Sequence, residues 1–187
     1  MKKDWIYIGG IFLIIVAFGF AKGGFTGRTV ENNMGTQIKL ETSAGDIIIE
    51  LYDDMPITTG NFENLVKQGF YNGVIFHRII DGFMIQGGDP TGTGTGGPGY
   101  NINDEFTHQP GNYNLRGTIA MANAGPNTGG SQFFINLVDN NFLDSKHPVF
   151  GRVIEGMDVV DEIAKENTDS SDRPIEEVEI EKATVLK

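Results

Sequence analysis

Residues 76–89 read FHRIIDGFMIQGGD, a stretch that sets one arginine and one glutamine among large apolar side chains and ends in glycines and an aspartate. Residues 74–78 alternate as in a strand, Asp81-Gly82 is a turn signal, and residues 83–85 resume an extended run. The pattern therefore predicts a β-hairpin. Such a hairpin would bring three side chains close together: Arg78, Phe83 and Gln86.

The segments on either side of this hairpin predict more strands than helices. Apolar residues alternate around the turn at residues 43–46, as in a second hairpin, and Pro56 introduces a helix with an apolar stripe that ends at Gly69. A second short helix is predicted over residues 157–164. Further strand candidates are residues 117–123, 131–138, 149–153 and 177–186. The simplest mainly β architecture is an antiparallel sheet closed into a barrel, with two helices covering its ends.

The composition fits one folded domain and excludes several kinds of chemistry. Hydrophobic residues make up 39% and charged residues 21% of the 187 residues, which is ordinary for a globular protein. The absence of cysteine excludes disulfides, thiolate catalysis and zinc–thiolate sites. The formal net charge of −11 repels phosphate backbones, so we expect no nucleic-acid partner.

The N-terminal run Trp5–Ala21 contains no charged residue and follows Lys2 and Lys3, which is typical of a membrane-targeting segment. As a helix it would span roughly 25 Å, between a long signal-peptide core and a short anchor. We favour an uncleaved signal-anchor; a signal cleaved after Ala21 and a buried core helix are the alternatives. The first two place the rest of the chain outside the cytoplasm, because the two lysines stay inside.

The chain then divides into three parts. Residues 1–21 form the signal-anchor or signal segment, and the glycine-rich residues 22–35 form a flexible linker. Residues 36–187 form the folded domain. We expect the membrane contact to be made through the N-terminal segment alone.

Several kinds of site can be set aside within the folded domain. The glycine-rich loop at residues 87–99 lacks both the Gly-Lys-Ser/Thr and the following helix of a phosphate-binding loop. The histidines His77, His108 and His147 lack metal-ligand spacing, and no serine lies in a nucleophile-elbow context. We therefore expect no metal and no cofactor. Composition alone would make Arg78 a strand-face arginine paired with a carboxylate, among ordinary core residues.

Three long motifs, taken together, resemble the cyclophilin family of peptidyl-prolyl isomerases over residues 36–187. The first is the hairpin stretch itself. The second is MANAGPNTGGSQFFI at residues 121–135, and the third combines FLD at residues 142–144 with KH and VFG at residues 146–151. The resemblance implies an eight-stranded antiparallel closed barrel capped by two α-helices, here preceded by the N-terminal hydrophobic helix.

The resemblance also implies roles for individual residues. The catalytic group would be Arg78, with Gln86, Phe83 and the backbone of Asn123. A proline pocket would be formed by Phe83, Met84, Phe134 and Leu143. The remaining substrate-binding residues would be Phe142, Gln132 and His147, with Gly94, Ala122 and Ala124 lining the groove for residues that precede proline. We expect burial to separate the groove-facing residues of the hairpin from its core residues, Ile79 and Ile85.

Three positions depart from the family's usual pattern. Asp81 stands where many members carry proline, which should alter the turn more than the chemistry. Phe142 stands where many eukaryotic members carry a tryptophan that hydrogen-bonds cyclosporin, so the sequence predicts weaker inhibitor binding with activity retained. Pro148 directly follows His147 and could shift its ring.

The resulting functional hypothesis is an extracytoplasmic peptidyl-prolyl cis-trans isomerase that uses neither a covalent intermediate nor a cofactor. Its partners would be proline-containing unfolded or flexible polypeptides, and the protein would be monomeric. The alternative is a membrane-tethered chaperone or binding module that holds proline-containing segments. A phosphate-binding enzyme built on the glycine-rich loop is a distant third hypothesis.

Overall fold

The computed structural model describes residues 35–186. The predicted signal-anchor segment and nearly all of the predicted linker lie outside these residues, and the N-terminal hydrophobic helix, the cleavage site after Ala21 and the domain boundaries therefore stay predictions. Within residues 35–186, no helix is both long and apolar enough to cross a membrane.

Nine strands, two α-helices and one short 3-10 helix make up the described part of the chain. The helices are α1, Pro56–Lys67, and α2, Met157–Ile163, and the 3-10 helix is Asn141–Leu143. The strands are β1 (Gln37–Thr42), β2 (Gly45–Leu51), β3 (Val74–Ile75), β4 (Arg78–Ile80), β5 (Met84–Gly87), β6 (Thr118–Met121), β7 (Phe133–Asn136), β8 (Val149–Glu155) and β9 (Glu179–Val185).

All nine strands belong to one curled antiparallel sheet, in the order β3-β9-β1-β2-β8-β6-β7-β5-β4. The expected eight-stranded closed barrel was therefore wrong in two respects. The run at residues 74–78 is not one strand, because the N–H of Phe76 donates to Val178 (2.9 Å) and the N–H of Ile79 turns to Asp172 (2.8 Å). The two end strands, β3 and β4, are consecutive in the chain but do not pair, so the ladder of hydrogen bonds stays open between them.

Helix α1 covers the main core with the apolar stripe that the sequence predicts. Phe62, Leu65 and Val66 are all buried, and the ring of Phe62 packs against Tyr71, Phe133 and Phe150 with centroids 4.9–5.5 Å apart. Burying a side chain of this size contributes about 1.5–3 kcal/mol. The mainly β class with two helices is thus confirmed, since the helices pack on the sheet as their periodicity requires.

The N-terminus of α1 is capped from a distant part of the chain. Pro56 opens the helix, where a missing N–H costs nothing, and the buried carboxylate of Glu105 accepts the N–H groups of Ile57 (3.0 Å) and Thr58 (2.9 Å). These backbone donors would otherwise have no partner. The helix ends before Gly69, whose φ of +70° suits glycine.

The predicted central hairpin is confirmed as β4 and β5. Its register pairs Arg78 with Gln86, Ile79 with Ile85 and Ile80 with Met84. Because successive side chains alternate between the two faces of a strand, the pair Ile79–Ile85 enters the main core while the other two pairs face away from it. Gly82, with φ of +68°, takes the turn position that glycine occupies without strain.

Candidate active site

A second, smaller apolar cluster lies on the face of the sheet opposite the main core. Its buried members are Met84, Ala120, Phe134 and Val149, and Phe83, Ala122 and Leu143 pack against it. All four residues predicted to form the proline pocket therefore come together. The sheet achieves this because Met84 and Phe134 lie on the adjacent, paired strands β5 and β7.

Burial separates the two faces of the hairpin less cleanly than expected. Arg78, Phe83 and Gln86 are partly exposed and Ile79 and Ile85 are buried, but Met84 is only 2% exposed. Met84 lies beneath its neighbours in the smaller cluster, so membership of a cluster, and not exposure, distinguishes the two faces.

The ring of Phe142 forms the outer edge of this pocket. It is 66% exposed and stacks on Phe83, with ring centroids 5.9 Å apart and planes inclined by 20°. The 3-10 helix that carries Phe142 also carries the half-buried Leu143. A short helical turn thus places one aromatic and one aliphatic wall beside Phe83.

Arg78 and Gln86 face each other across the hairpin, next to the apolar pocket. The side chain of Arg78 is 43% exposed, and its Nε donates to Oδ2 of Asp172 at 3.3 Å. The pairing with a carboxylate that composition alone suggested for Arg78 is therefore present. The pair uses only Nε of Arg78, so the two terminal nitrogens of the guanidinium take no part in it.

A line of amide hydrogen bonds leads from Gln86 into the glycine-rich loop. Nε2 of Gln86 donates to Oε1 of Gln132 (2.9 Å), and Nε2 of Gln132 donates to the carbonyls of Gly94 (3.0 Å) and Gly96 (2.9 Å). Gln132 uses both ends of its amide, accepting from Gln86 through Oε1 and donating to the loop through Nε2. This line fixes the orientation of both glutamines beside the pocket.

A groove of about 650 Å³ runs beside these amides. The loop segment at residues 94–101 forms one wall. Ala122 contacts both the groove and the apolar cluster, so the two are continuous. The predicted site residues that line this groove are Gln86, Gly94, Ala122, Asn123, Ala124 and Gln132.

His147 lies at the other side of the pocket with a defined hydrogen bond. Its ring is edge-on to Phe134, with centroids 5.4 Å apart, and Nδ1 lies 3.1 Å from the carbonyl of Met121. Burial lowers the pKa of His147, against the opposing effect of that carbonyl. The ring is therefore neutral near pH 7, with its proton on Nδ1, because a carbonyl can only accept.

Sequence reasoning missed the residue that organises the glycine-rich loop. Asp89 is 1% exposed, and its carboxylate accepts four backbone N–H groups, those of Thr91 (2.7 Å), Thr93 (3.1 Å), Gly94 (2.6 Å) and Gly96 (3.0 Å). Burial alone would raise the pKa of this carboxyl, but the hydrogen bonds outweigh it and lower the pKa to about 2. The Asp-Pro-Thr-Gly sequence, a turn signal, could have suggested it.

A network of buried and partly buried asparagines was also missed. Asn140 donates to the carbonyl of Phe83 (3.0 Å) and to Oδ1 of Asn136 (2.8 Å). Asn112 donates to the carbonyl of His147 (3.0 Å) and accepts from Val149 (2.6 Å). The network ties both edges of the pocket to the sheet. Isolated asparagines in a sequence give no signal of such pairing, since each usually indicates a turn.

The chemistry available here is that of a fixed cation beside an apolar pocket. Asn123 uses its side chain within the protein, because Nδ2 donates to the carbonyl of Lys146 at 2.8 Å. Among residues 35–186, no cluster of three or more acidic or histidine side chains could hold a metal ion. The arrangement can bind an apolar ring and direct a hydrogen-bond donor to an adjacent atom.

Comparison with known proteins gives concordant matches. A family model described as cyclophilin type peptidyl-prolyl cis-trans isomerase/CLD matches residues 37–185. A peptidyl-prolyl cis-trans isomerase of Schizosaccharomyces pombe is 52% identical over 153 residues, covering 80% of this chain and 98% of the relative. The peptidyl-prolyl cis-trans isomerase-like 1 of Homo sapiens is 50% identical over 150 residues, covering 78% of this chain and 90% of the relative.

Two crystal structures of a Cryptosporidium parvum cyclophilin type isomerase have the same fold. The first has a TM-score of 0.77 at 36% identity and covers 81% of this chain and 98% of the other. The second, determined in the presence of the dipeptide Ala-Pro, has a TM-score of 0.76 at 37% identity and covers 81% of this chain and 99% of the other.

Proposed function

The chain belongs to the cyclophilin-type peptidyl-prolyl cis-trans isomerases and is an enzyme of that class, and we propose that Arg78 is its catalytic cation. One observation carries this proposal: the register of the hairpin sets Arg78 opposite Gln86, at the rim of the apolar cluster that holds Phe83, Met84 and Phe134. Proline would occupy the pocket while its preceding peptide bond lies across the guanidinium.

Rotation about an Xaa-Pro bond is slow because the resonance of the amide must be broken, at a cost of about 18–20 kcal/mol. At the twisted transition state the prolyl nitrogen regains a lone pair that the planar amide lacks. A donor aimed at that nitrogen binds the transition state more tightly than either ground state. Arg78 suits this role, because guanidinium stays charged at any working pH.

The energy required is within reach of these groups. Uncatalysed isomerisation takes tens of seconds, so reaching milliseconds needs about 10⁴-fold acceleration, or roughly 5–6 kcal/mol. A hydrogen bond to a charged group contributes about 1.5–3 kcal/mol, and positioning of the proline ring and flanking peptide supplies the remainder. No bond is made or broken, so the mechanism requires neither a nucleophile nor a cofactor.

The substrates that fit this groove are extended proline-containing segments of unfolded or flexible polypeptides. The Cryptosporidium parvum relative was crystallised in the presence of Ala-Pro, which supports a proline-containing ligand for this chain as well. The groove, lined by Ala122, Ala124 and the loop backbone, suits the residues that precede proline. We propose that the enzyme acts as a monomer.

We propose an extracytoplasmic setting on the strength of the uncharged run Trp5–Ala21 behind Lys2 and Lys3. Fractionation of the native protein with intact-mass measurement tests this. Recovery in the membrane fraction at full mass supports the anchor, and a mass matching cleavage after Ala21 supports a secreted form. Full-length protein recovered with cytoplasmic markers would contradict both.

Exchange spectroscopy on an Xaa-Pro peptide tests the proposed function directly, by comparing cis–trans exchange with wild type, with Arg78→Ala and with buffer alone. We expect acceleration by wild type only. Refolding of a protein whose folding rate is limited by proline isomerisation distinguishes catalysis from simple binding of the unfolded chain. Equal help from wild type and Arg78→Ala would favour the alternative of a binding module and contradict the role given to Arg78.

Phe142 provides a test of the pocket rim. Phe142→Trp should bind cyclosporin about 3–10-fold more tightly than wild type, because the indole N–H adds one hydrogen bond at an exposed position. An inhibition assay measures this, and kcat/KM without inhibitor should stay within about twofold. Phe142→Leu, which removes the ring and adds no donor, is the matched control. Equal inhibition of wild type and Phe142→Trp would contradict the prediction.

A further inference from the structure

The loop at residues 167–175 is closed by its own hydrogen bonds. The N–H of Ile175 donates to the carbonyl of Asn167 and that of Asp169 to the carbonyl of Arg173, both at 2.8 Å. Oδ1 of Asp169 accepts the N–H groups of Ser171 (2.7 Å) and Arg173 (3.1 Å). The loop therefore has a defined shape despite its exposed position.

Asp172 attaches this loop to β4, and Arg173 attaches it to the glycine-rich loop and to the segment before β9. The carbonyl of Asp172 accepts the N–H of Ile79 at 2.8 Å, and the guanidinium of Arg173 donates to the carbonyl of Gly92 and to Oε1 of Glu177 (2.8 Å). Asp172 itself has φ of +62°, a conformation that aspartate adopts more readily than most residues. The loop thus holds the backbone of Asp172 beside Ile79, the residue that follows Arg78.

The ion pair between Asp172 and Arg78 contributes little to the stability of the protein. Both side chains are more than 40% exposed, and the two atoms lie 3.3 Å apart. Exposed pairs of this kind contribute little to the free energy of unfolding. Its geometry is more informative, because Oδ2 binds only Nε and is the one hydrogen-bond partner of the Arg78 side chain among residues 35–186. The N–H groups of the two terminal nitrogens therefore remain available as donors.

We propose that Asp172 is a positioning residue that holds the Arg78 guanidinium by Nε, so that its terminal nitrogens face the proline pocket. An arginine side chain without such a partner samples many rotamers, and only a fraction of them would direct a donor to the prolyl nitrogen. This inference rests on the proposed catalytic role of Arg78. It assigns to a residue 94 positions away the orientation on which that role depends.

Asp172→Gly is the test variant, because glycine removes the carboxylate and adopts φ of +62° without strain. We expect kcat to fall about fivefold with KM within about twofold, because misorientation affects the transition state more than binding. Asp172→Asn should recover most of the rate, since an amide oxygen accepts from Nε and asparagine tolerates this φ. Glu176→Gln, which changes an exposed carboxylate of the same region that does not hold the loop, should leave kcat unchanged.

A double-mutant cycle distinguishes positioning from a structural role. Lysine has no Nε–H in that place, so Asp172→Gly should change the rate of Arg78→Lys by less than about 1.5-fold. The same loss in both backgrounds, or an unchanged kcat in Asp172→Gly alone, would overturn the positioning role. Neither result would affect the proposed function, which fails only if Arg78→Ala retains the wild-type rate; that outcome would overturn the positioning role too.

Discussion

Replacing Arg78 by alanine should lower kcat/KM by about 10²–10³-fold, the cost typical of removing one preorganised donor from a transition state. The fall should appear in kcat more than in KM, because the planar ground-state amide offers the guanidinium no lone pair on nitrogen. Exchange spectroscopy on an Xaa-Pro peptide over a range of substrate concentrations gives both constants.

Folding of Arg78→Ala should be almost unaffected. The side chain is 43% exposed and pairs with an exposed carboxylate, an interaction that contributes about 0–1 kcal/mol. Thermal denaturation should therefore give a Tm within a few degrees of wild type. Arg78→Lys is the matched control, because it keeps the charge and loses the planar fork of donors. Its kcat/KM should lie between the values of wild type and Arg78→Ala. A kcat/KM for Arg78→Ala within twofold of wild type would rule out the proposed mechanism.

Asp89→Asn should destabilise the protein by about 2–3 kcal/mol at pH 7, since one pKa unit corresponds to about 1.36 kcal/mol and the pKa of Asp89 falls from 3.8 to about 2 on folding. Asparagine cannot replace this carboxylate, because its NH₂ would face buried N–H donors in either orientation. We expect Tm to fall by roughly 5–10 °C. Activity should fall with it, since the carbonyls of Gly94 and Gly96 hold Gln132.

The contribution of Asp89 also has a defined pH dependence. A carboxyl whose pKa is lowered on folding stabilises the protein fully above its unfolded pKa, and this stabilisation disappears as the pH falls from about 4 to about 2. Denaturant unfolding should therefore give a difference between wild type and Asp89→Asn that shrinks over that range. Asp169→Asn is the matched control, because Asp169 also accepts two backbone N–H groups but lies in an exposed loop. An equal, pH-independent loss in both variants would contradict this account.

The strands and helices were mostly predictable because their signals are local. The hairpin of residues 76–89, the stripe of α1 and the last strand all followed from apolar periodicity and turn residues, which depend on a few neighbouring side chains. The number of strands and the closure of the barrel were harder to predict, because they depend on contacts between residues far apart in the sequence. Whether residues 74–78 form one strand or two depends on Val178 and Asp172, about 100 positions further along the chain.

The sequence predicted which residues form the candidate site better than it predicted how they are arranged. All thirteen residues assigned from the family motifs lie in or beside the groove and the smaller apolar cluster, but their roles stay predictions until the variants are measured. Met84 shows why arrangement is harder. Its neighbours on β5 are read directly from the sequence, whereas its 2% exposure depends on Phe134 and Val149 from other strands.

The sequence by itself determined that Ile79 and Ile85 lie on the opposite face of the hairpin from Arg78 and Gln86, because side chains alternate along a strand. It also determined that Arg78, Phe83 and Gln86 share a region, because a tight turn pairs the residues on its two sides. Only the tertiary structure decided which carboxylates serve the site. The chain carries 25 acidic residues, and nothing local distinguishes Asp89 or Asp172 from the others. Asp89 is selected by four backbone N–H groups that converge only in the folded loop, and Asp172 by the hydrogen bond that joins its loop to Ile79.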